Sequence, residues 1–129
     1  MRKALLLILG LLLLCPICSY SQTYHVKRYH WAVGDTHGRK QKGGFDINVD
    51  FDNKRMSIER NDKTLDYTIL DEHAQRWERN NLAFDGTIYC AIEENSNSDC
   101  KIYFRELKGE VVQIFVIERS GRWEYDVAH

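Results

Sequence analysis

The chain has 129 residues, with 18 Lys and Arg against 19 Asp and Glu. Its first 21 residues carry only Arg2 and Lys3 as charges, so removing them leaves 108 residues with 16 basic and 19 acidic side chains, a formal charge of −3. That length accommodates one core rather than two, and that balance lacks the strongly basic face that nucleic acid rewards.

Met1-Arg2-Lys3 precedes an apolar run from Ala4 to Leu14. A basic start followed by a short greasy stretch is the layout of a secretory signal, and the run is too short to span a bilayer, which takes about 20 apolar residues. Ser19 and Ser21 supply small side chains at −3 and −1 for a cut before Gln22. Residues 1–21 therefore read as a cleaved signal peptide and 22–129 as a single exported domain, secreted or periplasmic and not membrane-spanning. Export leaves two of the four cysteines, Cys90 and Cys100. With no CxxC or His-x-His pattern beside them, a disulfide is expected between them rather than a metal site.

From Thr23 onward apolar residues alternate with polar ones, the period of half-buried strands. Phe45, Ile47, Val49 and Phe51 share one face, and Asp46, Asn48, Asp50 and Asp52 share the other. A tight turn at Asn53-Lys54 sets Phe51 opposite Met56; a second at Asn61-Asp62 sets Ile58 opposite Leu65 and Met56 opposite Tyr67. Both turns preserve one apolar face, which a one-residue slip would destroy.

Thr87–Glu94 and Cys100–Leu107 flank the turn-forming run Asn95-Ser96-Asn97-Ser98. Folding about Asn95 puts Cys90 opposite Cys100 and Ile88 opposite Ile102. A three-residue loop at Lys108-Gly109-Glu110 then aligns Phe104 with Ile114 and Ile102 with Val116. A turn at Ser120-Gly121 brings Tyr125 beside Val116, with Trp123 on the same face. Tyr89, Tyr103, Phe115 and Ile117 remain on the opposite face as a candidate binding patch. With a first strand in Thr23–Val33 the chain has about eight short strands, an all-β antiparallel meander that forms a small barrel of lipocalin-like architecture or a two-layer sandwich.

Several strings invite a chemical reading. Val33-Gly34-Asp35-Thr36-His37-Gly38 resembles the first motif of calcineurin-like metallophosphoesterases, in which an Asp and a His bind two metals. The further Gly-Asp and Gly-Asn-His segments of that family do not occur downstream, so the string reads as a Gly-rich loop between the first two strands. His25 and His30 differ by five positions and point to opposite faces of a regular strand. Asp46-x-Asn48-x-Asp50 opens like a calcium loop, but Phe51 stands where glycine is needed and Ser57 where glutamate should close the site. On the expected register Asp50 and Asp66 flank Ser57, with Glu59 near Asn48, which leaves room only for weak divalent-cation binding. The basic loop of Gly38, Arg39, Lys40, Lys42, Gly43 and Gly44 is not followed by a helix and so lacks a phosphate cradle.

No catalytic residues, no cofactor and no metal site emerge from this pattern. The function expected is that of an exported, non-catalytic binding module for a protein, a glycan or a small apolar ligand. The alternatives are a small secreted hydrolase without a recognisable motif and a carrier of a small apolar ligand. Large inward side chains (Phe45, Phe51, Phe104, Trp123, Tyr125) argue that a small barrel is filled.

Overall fold

The computed structural model describes residues 21–76 and 84–128. Most of residues 1–21, the expected signal peptide, therefore lie outside the described residues; a cut before Gln22 would take only Ser21 from the first strand. The strands are β1 (Ser21–Val33), β2 (Thr36–His37), β3 (Gln41–Asp50), β4 (Arg55–Glu59), β5 (Thr64–Arg76), β6 (Phe84–Glu93), β7 (Ser98–Leu107), β8 (Glu110–Ile117) and β9 (Arg122–Ala128). Consecutive strands pair antiparallel, apart from the short β2, which only extends the end of β1. The first and last strands pair with each other, from His25 with Ala128 to Ala32 with Arg122. The architecture is a closed eight-stranded antiparallel barrel with one extra strand. Closure removes the exposed sheet edges that an open meander would present.

The barrel is filled. Tyr67, Tyr125, Ile47, Met56, Ile58, Ile69, Ile102, Ile114, Val26, Val49 and Val116 are all less than 2% exposed. Tyr29 stacks on Tyr125 at 5.8 Å and meets Phe45 edge-on at 5.2 Å.

The strand order follows the expected meander, while individual registers differ for local reasons. The β4–β5 ladder pairs Met56 with Tyr67 and Ile58 with Leu65, as the Asn61-Asp62 turn requires. Phe104 faces Ile114 and Ile102 faces Val116, also as expected. There the turn itself is shorter: Lys108 and Gly109 both take positive φ, and the extra residue is absorbed by an irregularity between Arg105 and Glu106.

The β3–β4 hairpin is shifted by two, with Val49 opposite Met56 and Asp50 opposite Arg55. The Asp50 carboxylate accepts hydrogen bonds from the Asn53 amide and side chain, and Lys54 takes a φ of 55°. The loop thus needs four residues, and Phe51 leaves the ladder. The β8–β9 hairpin is likewise shifted by two, pairing Ile114 with Tyr125 and Val116 with Trp123. A two-residue shift preserves the buried face.

In β6–β7 the shift is one residue, and it reverses a face. Cys90 lies opposite Lys101 and Ala91 opposite Cys100. The expected Cys90–Cys100 disulfide is therefore corrected: both thiols are free, Cys100 in the core and Cys90 half-buried on the other face. The cause is the turn. The Glu93 carboxylate accepts hydrogen bonds from the Asn95 and Ser96 amides and the Ser96 hydroxyl, and Asn97 takes the left-handed conformation. That builds a four-residue loop centred between Asn95 and Ser96 rather than on Asn95.

A kink in β1 at Lys27 changes a second expectation. Tyr24, Val26 and Tyr29 all point inward, so the alternation skips a residue there. A Cβ on Gly43 would stand 2.2 Å from the Val26 carbonyl oxygen, so only glycine fits beside the kink. His25 and His30 consequently share the outer face rather than pointing apart.

Candidate functional site

The two ends of the barrel differ. At the end formed by the β3–β4 and β7–β8 turns, four rings line a mouth among the described residues. Tyr24 comes from β1, Phe51 from the turn it was released into, Tyr89 from β6 and Phe104 from β7. Phe104 lies 6.2 Å from Tyr24, 6.0 Å from Phe51 and 5.7 Å, edge-on, from Tyr89, while Phe51 and Tyr89 are 5.9 Å apart. Together with Glu106, Glu110 and Val111 they line a concavity of about 410 Å³, within the size range of small-ligand sites. The Tyr24 hydroxyl donates to the Gln22 side chain, and its pKa is raised by burial and by the nearby Glu106 and Tyr89.

At the opposite end Arg60 closes the barrel. Its side chain is buried, with the guanidinium 5.0 Å from the Tyr29 ring and 4.5 Å from the Trp123 ring. Asp62 lies 3.2 Å from its Nε. Outside this plug, a larger depression of about 670 Å³ is walled by turn residues with Lys63, Glu93, Cys100, Glu118 and Arg119. Burial penalises the Glu93 charge, but hydrogen bonds from Ser96 and Asn95 and the nearby Lys63 outweigh that penalty and hold the carboxyl below the usual range. Burial, reinforced by Glu118, Glu93, Asp99 and Cys90, pushes the Cys100 thiol up to about 12. A thiol so protonated is a poor nucleophile at neutral pH.

The expected patch of Tyr89, Tyr103, Phe115 and Ile117 does not form one surface. Tyr89 pairs with the inward Ile102 and joins the mouth, a consequence of the one-residue shift in β6–β7. Tyr103 stays outside and packs over Gly86, where a Cβ would lie 2.3 Å from the ring. It meets Phe115 edge-on at 5.6 Å, and Ile117 is half-buried along the same strand.

The acidic face of β3 is also rearranged. Asn48, Ser57 and Asp66 lie in register across β3, β4 and β5. Asp50 is occupied by Asn53, and Asp46 sits 2.8 Å from His25. Of the two carboxylates expected to flank Ser57, Asp66 lies opposite it, while Asp50 is drawn to Asn53.

One group was not anticipated. His30, His37 and Glu124 gather on the outer wall, with their candidate ligand atoms all within 4.8 Å of one another. His30 and Glu124 are directly paired residues of β1 and β9, and the Gly34-Asp35 turn folds His37 back beside them. Glu124 comes from a strand almost a hundred residues away, so no local spacing could mark the group. The Val33–Gly38 string is thus a tight hairpin turn, in keeping with its reading as a loop, and it also carries a histidine to this cluster.

In comparisons with protein-family models, curated proteins and solved structures, no significant match to this chain was found.

Proposed function

We propose that this chain is an exported, non-catalytic β-barrel module that binds a small ligand with an apolar face at its open mouth. The observation that carries this reading is the four-ring mouth, about 410 Å³ in volume, above a barrel interior packed with large buried side chains. Aromatic faces and edges offer large contact area at low entropic cost, and Glu106 and Glu110 provide acceptors that would orient a hydroxyl or amine on the ligand. The filled interior speaks for surface binding over carriage within the barrel. The leader at residues 1–21 supports export, with Gln22 as the expected mature N-terminus.

The reading is tested with the neutral fluorophore N-phenyl-1-naphthylamine and folded mature protein. Its emission is expected to rise on binding, and the rise is expected to fall at least severalfold in Tyr89→Ser, whose ring is half-buried at the rim. Absence of any rise with wild-type protein, or an undiminished rise in a folded Tyr89→Ser variant, would overturn the assignment of the mouth.

A further inference from the structure

His30 and Glu124 are unusual residues for the outer wall of a barrel, because both side chains are almost fully buried, at 5% and 7% exposure. The His30 Nε2 atom lies 2.9 Å from His37 Nδ1 and 3.5 Å from a Glu124 carboxylate oxygen, and His37 Nδ1 lies 3.8 Å from the other oxygen. A single ring proton between the imidazoles satisfies that pair, and the Glu124 Oε1 atom lies beside them. His30 Nδ1, on the far side of the ring, is buried without a hydrogen-bond partner. Two imidazoles and a carboxylate thus gather at one place on the wall, with one ring nitrogen of the buried histidine left unsatisfied.

We propose that His30 Nε2, His37 Nδ1 and one oxygen of Glu124 bind a zinc-class divalent ion. Tetrahedral coordination with bonds of about 2.0–2.1 Å places neighbouring ligand atoms roughly 3.3–3.4 Å apart. His30 Nε2 stands 2.9 Å from His37 Nδ1 and 3.5 Å from Glu124 Oε1, on either side of that value, and the cluster's ligand atoms all lie within 4.8 Å of one another. Two imidazoles and one carboxylate suit zinc better than calcium or magnesium, which select all-oxygen shells. His37 is 52% exposed, so an ion can reach the cluster from solvent and keep a water as its fourth ligand.

The surroundings hold the ligands in place. Arg122 Nε donates to Glu124 Oε2 at 2.7 Å, leaving Oε1 for an ion, and Arg122 Nη1 donates to the Gly34 carbonyl at 3.0 Å. One side chain therefore fixes both the carboxylate and the turn that delivers His37, the role that outer partners play in metal sites. Arg122 also offsets part of the carboxylate charge, which makes binding depend more on the imidazoles. The turn is anchored again by the Gly38 amide donating to the Trp31 carbonyl at 2.7 Å. A Cβ on Gly38 would come within 2.8 Å of that carbonyl oxygen.

The test uses untagged, folded mature protein titrated with zinc chloride, with magnesium chloride as the control. Zinc is expected to raise the melting temperature and magnesium to leave it unchanged. Cobalt(II) is expected to give the intense visible bands of a tetrahedral site, displaced by zinc. His37→Ala, on a half-exposed turn, is expected to fold as the wild type does without metal and to weaken zinc binding by roughly 100-fold or more, beyond the 10–100-fold typical of outer partners. His25→Ala is expected to bind zinc as the wild type does. The proposal is overturned by no zinc response at millimolar concentration, by unchanged affinity in His37→Ala, or by loss of affinity in His25→Ala. It stands independently of ligand binding at the mouth, which lies at the other end of the barrel.

Discussion

The two ends of the barrel solve the same problem with opposite chemistry. Each must terminate a column of apolar side chains against water. One end does so with a cation: Arg60 lies over Tyr29 and Trp123, its stem covering the core while its charge faces the rings. Among the described residues the other ends in the rings of Tyr24, Phe51, Tyr89 and Phe104, which line a concavity edged by Glu106 and Glu110. A plug built from one flexible side chain closes the barrel with little loss of strand regularity. A mouth lined by four rings leaves a concavity among the described residues. The difference is one of chemistry: a cation covers the rings at one end, and rings line the concavity at the other.

The sharpest way to break this contrast is Phe104→Ala. Phe104 is buried and touches the three other rings of the mouth. Its loss is expected to cost about 3–5 kcal/mol, the usual range for removing a core aromatic, measured by denaturant unfolding. A much smaller cost would mean that the mouth collapses readily and is not held open.

At the other end Arg60→Ala is expected to cost less, about 1–2 kcal/mol, because it uncovers the rings that the apolar stem packs on as well as removing the cation over them. Arg60→Met should recover most of the loss by restoring the apolar stem. If Met recovers nothing, the charge rather than the packing closes that end.

The smallest effect concerns the turn at the closed end. The Glu93 carboxyl titrates below its ordinary value in the folded protein, through the bonds from Ser96 and Asn95 that outweigh the burial penalty. A carboxyl depressed on folding contributes stability above its unfolded pKa and loses it as pH falls through the folded one. Glu93→Gln is therefore expected to lower stability by about 1 kcal/mol at pH 7, the net worth of a hydrogen bond. The gap to wild type should narrow as the solution is acidified below the normal glutamate range. A gap that stays constant from pH 7 to pH 3 would sink the assignment.

Legibility in the sequence followed the period of the strand. The alternations of Phe45, Ile47 and Val49 and of Ile102 and Phe104 identify inward residues, and these are buried in the structure. Alternation constrains a register only to within two residues, so the β3–β4 and β8–β9 hairpins could shift without exposing their cores. The turns decided the rest. Asp50 reads as part of the polar face of a strand and Glu93 carries no signal of its own, yet each folds back to cap a four-residue loop. In β6–β7 that capping shifted the pairing by one, separated the two cysteines and moved Tyr89 from the outer face to the mouth.

The candidate metal cluster was beyond the reach of spacing altogether. A kink at Lys27 determines which way His30 faces, and closure between β1 and β9 brings Glu124 to it. By itself the sequence determined the all-β class, the strand order and the composition of the core, because apolar periodicity is written residue by residue. Only the tertiary structure decided the cysteine geometry, the ring-lined mouth and the meeting of His30, His37 and Glu124. Those depend on turn capping, a local bulge and barrel closure, which couple residues far apart in the chain.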